Sequence, residues 1–137
     1  MWWIYALLSA LFAALTAIFA KIGIKGVDTD LATAIRTVII LLLAWALVFI
    51  KGSGHTINTL TKTNWTFLIL SGFATGFSWI CYFKALQMGK IAQVAPVDKL
   101  SVAIAIVLAA VFLGEAITVK TGIAAILIIS GTLVLIF

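Results

Sequence analysis

The chain is 137 residues long, 65% hydrophobic and only 9% charged, with a mean hydropathy of +1.31 and a formal net charge of +5. Soluble domains average roughly 45–50% apolar and about 25% charged, so no single water-soluble core can hide this much apolar surface; a polytopic, all-α membrane protein is expected. The nine basic residues are scattered between apolar runs rather than gathered into a stripe, which reads as interfacial anchoring and argues against a nucleic-acid partner.

The N-terminal run MWWIYALLSALFAALTAIFA has no basic n-region and is long enough for a full span, so it reads as a first transmembrane helix rather than a signal peptide. In chain order the apolar stretches are 2–20, 31–50, 65–86, 91–113 and 117–137, each close to the roughly 20 residues that cross the hydrocarbon as a helix. Asp30 and Asn64 stand where N-caps of the second and third spans are wanted. The connection after the second span, KGSGHTINTLTKTN, is the longest and most loop-like, and His55 sits in it as a solvated side chain. Trp2, Trp3 and Trp65 lie at span ends and suit an aromatic belt, whereas Trp45 and Trp79 lie deeper. Glu115 follows the fourth span as a solvated interfacial acid. Cys81 is the only cysteine, so no intrachain disulfide and no Cys/His metal cluster exists. No nucleophile–base pair or phosphate loop is visible either, so neither enzyme nor cofactor chemistry is expected.

An odd number of spans puts the termini on opposite sides of the membrane. The connections on the N-terminal side carry Lys51, Lys62 and Lys120; those on the other side, side B, carry Lys21, Lys25, Lys84 and Lys90. Arg36 and Lys99, a few turns inside side B, tip this near-even balance, so a single orientation would put side B in the cytoplasm and a mixed orientation is equally allowed.

Charged groups inside a span cost roughly 2.5–3.5 kcal/mol each on insertion scales and persist where they pair or line a cavity. Three stand out: Arg36, Asp98 and Lys99. At about 1.5 Å per residue, Arg36 lies roughly 8 Å and Asp98 roughly 10 Å inside the side B ends of their spans, and Trp79 and Tyr82 lie roughly 10 and 6 Å from the same side. These side chains share one stratum. Pro96, the only proline, weakens the turn before it and leaves carbonyls near positions 92–93 underbonded, with Gln93 one turn earlier as a donor for them. A helix interrupted beside charges resembles the binding-site pattern of secondary transporters. Two readings stay open: Asp98 neutralises Arg36 or Lys99 in a structural pair, or these groups line a solute path together with Trp79 and Tyr82. Small residues mark contact faces: Gly72, Thr75 and Gly76 in the third span, and Gly122, Ala124, Ala125, Ser130 and Gly131 in the fifth.

The order of these features resembles the EamA domain of the drug/metabolite transporter superfamily, in its short bacterial and archaeal form with one five-helix domain over residues 1–137. The resemblance rests on Lys21 closing span one, Arg36 early in span two, SWICYFKAL ending span three and the proline-bearing start of span four. LGE at 113–115 and AAILIISG at 124–131 complete it; the latter looks like a GxxLIxxG motif in which Ala124 replaces the first glycine and Gly131 keeps the second. The resemblance implies an inner-membrane carrier of a small metabolite or drug-like solute, supplying one half of a ten-helix inverted repeat. Its partner would be a second, oppositely inserted copy or a paralogous five-helix chain, and Gly122, Ala124 and Gly131 would suit the dimer seam. The small multidrug resistance relatives carry a glutamate in their first helix. No acid stands in span one here, so proton coupling, if any, falls to Asp98, and Arg36 and Lys99 favour an anionic or zwitterionic solute. A small ion channel and a non-transporting subunit of a larger complex are the competing readings.

Overall fold

A computed structural model describes all residues, 1–137, and is entirely helical. The helices are α1 (Trp2–Gly23), α2 (Thr29–Ile50), a 3₁₀ helix (Ser53–Thr59), α3 (Lys62–Met88), α4 (Ile91–Asp98), α5 (Leu100–Leu113) and α6 (Val119–Ile136). Five helical stretches are long and apolar enough to cross a membrane: α1, α2, α3, the stretch Ile91–Leu113 that holds α4 and α5, and α6. The chain is a multi-pass membrane protein. Its contacts divide it into two compact units, one comprising Met1–Ile18 with Met88–Phe137 and the other Phe19–Gln87.

In the unit Phe19–Gln87, α1 runs three residues past the expected end at Ala20, because Lys21 is a good helix former that suits the negative end of the dipole. The chain then turns at Gly26, whose φ of +74° is a left-handed conformation open to glycine. Asp28, not Asp30, caps α2: it takes extended backbone, and its carboxylate accepts from the amides of Asp30 and Leu31 at 3.0 Å each. Asp30 lies one residue inside, where its charge favours the first turn. Asn64 is likewise no cap. The third helix starts at Lys62, and the Asn64 amide donates to the Thr61 hydroxyl at 3.2 Å. The polar connection between α2 and α3 is not an open loop but a 3₁₀ helix, held in part by back-bonding of Thr56 onto Ser53 and of Thr59 onto Thr56.

The buried residues of this unit cluster at the side B ends of its helices: Ala20, Ile24, Thr29, Thr33, Phe83 and Leu86. Thr33 donates its hydroxyl to the Thr29 carbonyl at 2.8 Å, so the hydroxyl proton of this buried residue is paired. Lys21 donates to the Leu86 carbonyl, and the Gln87 amide donates to the carbonyls of Ile24 (3.3 Å) and Val27 (3.0 Å). These bonds tie the turn after α1 to the end of α3. Where α3 ends, its carbonyls have no intrahelical partner, and lysine supplies one.

In the other unit, α6 packs along both α4 and α5. Its packed face is Gly122, Ala125, Ile128 and Thr132, spaced three or four residues apart, against a stripe on α5 that includes Ala103 and Ile106. The fourth span is interrupted, but after Pro96 rather than before it. The break falls at Lys99, whose amide turns back to the carbonyls of Pro96 and Val97. Gln93 is exposed and makes no side-chain hydrogen bond; the side chain that reaches the break is Thr132, 3% exposed, which shares its hydroxyl proton between the carbonyls of Ile128 (2.7 Å) and Pro96 (3.3 Å). Helix α5 stops at Gly114 (φ +67°), where the Gly114 and Glu115 amides both turn back to the Ala109 carbonyl. Thr118 caps α6 by accepting from the Thr121 amide at 3.2 Å.

Two outcomes follow from these local bonds. Asp28→Ala is expected to lower stability by about 1 kcal/mol, against about 0.3 kcal/mol for Asp30→Ala, in denaturant titrations of the detergent-solubilised protein; equal effects would contradict the capping assignment. Thr132→Val keeps the side-chain shape and is expected to cost about 0.5–1.5 kcal/mol while accelerating amide exchange at Lys99; unchanged exchange there would mean that Thr132 does not secure the break.

Candidate functional site

Among the charged groups expected inside the spans, Arg36 has the most defined surroundings. It lies on α2 two turns after Thr29, one turn beyond Thr33. The packed stripe of α3 is Trp79, Phe83 and Leu86, again at spacings of four and three. This periodicity brings Trp79 and Phe83 to Arg36. The guanidinium carbon lies 4.4 Å from the Phe83 ring centroid and 5.2 Å from that of Trp79. Tyr82, half-buried beside them, has its ring 5.9 Å from that of Phe83 at 51°.

The energetics of this arrangement are uneven. Each cation–π contact contributes about 0.5–2 kcal/mol, rising as water is excluded. Two such contacts offset much of the roughly 2.5–3.5 kcal/mol that an arginine costs within a span. Ring faces attract the charge, but they satisfy few of the N–H donors. The Arg36 Nη1 atom is buried and has no hydrogen-bond partner. A buried donor left unmade costs about 1–3 kcal/mol, and more where the group is charged. The bracket therefore holds the guanidinium in place and leaves part of its donor capacity unused.

The second charged locus is the break in the fourth span. The Lys99 ammonium lies 3.4 Å from the Asp98 carboxylate, with side chains 57% and 35% exposed respectively. Of the two partners open to Asp98 in the sequence, its chain neighbour Lys99 is the one in hydrogen-bonding range. Pro96, half-buried, supplies the carbonyl that accepts from Lys99 and Thr132.

The small residues divide between faces. Gly72 and Gly76 line an apolar groove of about 430 Å³ along α3 with Ile69, Phe73, Phe77 and Ile80. A methyl group added at either glycine would meet no other atom within 4 Å. On α6, Gly122 approaches the Ile117 side chain, with 3.9 Å between an added Cβ and Cγ2, whereas Ala124 and Gly131 are exposed on another face. Phe83 and Thr132 were not singled out by sequence reasoning. Phe83 carried a usable signal, one turn beyond Trp79 on the same face as a deep charged residue's expected partners. Thr132 carried a weaker one, a hydroxyl beside Gly131 in an apolar helix.

A profile of the EamA-like transporter family matches residues 1–137. The chain is also 45% identical over 134 residues to a protein of Sinorhizobium sp. named "Uncharacterized transporter in cobO 3'region", a match covering 98% of this chain and 95% of that protein. No solved structure matches significantly. With apolar spans throughout, a profile match from first residue to last and a relative of nearly equal length, this chain belongs to the EamA-like transporter family.

Proposed function

We propose that the chain carries a small solute across the inner (plasma) membrane by alternating access, as an antiparallel homodimer in which each copy supplies half of the pathway. The observation that supports this most strongly is the Asp98–Lys99 pair. It interrupts a membrane span, and more than half of the Lys99 side chain is exposed on the chain taken alone. Hydrocarbon does not solvate such a pair, and irregular backbone at membrane depth is tolerated only against protein or a watery cavity. A second copy would enclose the pair in a polar cavity, and an odd number of spans allows two copies to face each other in opposite senses. The near-even distribution of lysines between the two sides suits insertion both ways.

Paired C-terminal reporters, one active only in the cytoplasm and one only outside, test the antiparallel assembly. Both are expected to be active, at comparable levels once expression is normalised. Activity of one alone would rule out the antiparallel homodimer and leave an oppositely inserted partner chain in its place. Adding Lys at both ends of α6 in turn is expected to shift the ratio of the two signals, as orientation follows the lysine and arginine bias of short connections.

A further inference from the structure

The surroundings of Arg36 narrow the chemistry of the solute. Arg36 is the only arginine in the chain. Its guanidinium is bracketed by Phe83 and Trp79, its Nη1 is buried without a hydrogen-bond partner, and it forms no ion pair. The acids of the chain are Asp28, Asp30, Asp98 and Glu115. Asp28 is engaged in capping α2, Asp30 is in the first turn, Asp98 is paired with Lys99, and Glu115 is exposed beyond α5. A guanidinium that needed only neutralisation would be expected beside a carboxylate. Here the ring contacts position it instead: Nη1 is closed off, while Nε and Nη2 of this half-buried side chain are neither buried nor hydrogen-bonded within the chain.

We propose that Arg36 is the recognition group for the carboxylate of the carried solute, with Trp79 and Phe83 forming the wall against which the solute's apolar body rests. This rests on the transport reading for its purpose, though not for its geometry. Aromatic contacts engage a guanidinium through its face, which leaves the Nε/Nη2 edge, the part that is not buried, to meet two carboxylate oxygens in one plane. One positive charge matches one carboxylate. A phosphate monoester near two negative charges would bring an uncompensated charge into the span. A lipid phosphodiester has the right charge but the wrong depth, because Arg36 lies about 10 Å along α2 from Thr29.

The uniqueness of Arg36 makes the test direct. Full-length protein labelled with [15N]arginine has a single side-chain Nε–H resonance. In phosphatidylcholine nanodiscs, sodium benzoate or sodium acetate is expected to move that resonance saturably, benzoate at lower concentration, while sodium chloride at matched ionic strength does not. In the Trp79→Leu variant, which keeps the arginine, the benzoate midpoint is expected to rise at least about 3-fold, given the usual size of a cation–π and wall contact. A resonance that does not move, or that moves alike with chloride, overturns the proposal. So does a shift produced by phosphatidylglycerol in the disc that benzoate fails to reverse, which would assign the seat to a lipid headgroup. An unchanged midpoint in Trp79→Leu overturns the aromatic wall. The titration involves no gradient and no orientation readout, so its failure leaves the transport reading standing, and failure of the reporter assay leaves the binding result standing.

Discussion

A guanidinium within a bilayer span has to be held by something, and here it is held by aromatic rings. Arg36 on α2 rests against Trp79 and Phe83 of α3, and the order of the unit Phe19–Gln87 follows from that contact. Phe83 and Leu86 are its most deeply buried side chains, and the Thr29–Thr33 edge of α2 lies in the same small core. At the end of α3, Lys21 of α1 donates to the Leu86 carbonyl and Gln87 donates to the carbonyls of Ile24 and Val27. Beyond this zone, α2 and α3 present leucine, isoleucine and phenylalanine outward along most of their length. Such surface needs no protein partner in lipid, where there is no hydrophobic force between helices and association depends on packing and hydrogen bonds. The cohesion of the unit is therefore local and partly polar.

The same rule, that every polar group at membrane depth needs a partner, shapes the other unit. Pro96 removes one backbone donor, and the fourth span gives way three residues later at Lys99. The carbonyl of Pro96 is then met twice, by the Lys99 amide and by the buried Thr132 hydroxyl from α6. What remains is a charged pair whose side chains the chain alone does not enclose.

The spans were legible because hydrocarbon demands about 20 apolar residues and few sequences meet that demand by accident. Their ends were less so. Asp28 and Asp30 stand two residues apart, and which one caps depends on which adopts extended backbone, a choice made by the turn at Gly26 rather than by residue type. Lysine extends a helix readily while its ammonium reaches outward, so α1 runs past Lys21 and α3 already begins at Lys62. The proline showed that the fourth span is interrupted. It did not show that the break falls after it, because the turn that opens is decided by which carbonyl finds a side-chain donor. Arg36 and Trp79 were visible as residues of one depth from rise per residue alone. Phe83 was marked only by its place one turn beyond Trp79, since its residue type does not distinguish a ring that faces lipid from one that faces a cation.

The rings, rather than a carboxylate, hold Arg36. A double-mutant cycle of Arg36→Met and Phe83→Leu, read by reversible unfolding in mixed micelles, measures that interaction directly. A favourable coupling of about 1–2 kcal/mol is expected for a desolvated cation–π pair. If the two single changes add to within about 0.3 kcal/mol, the guanidinium is held by something else, and both the packing of α2 on α3 and the open donor edge of Arg36 would have to be explained differently.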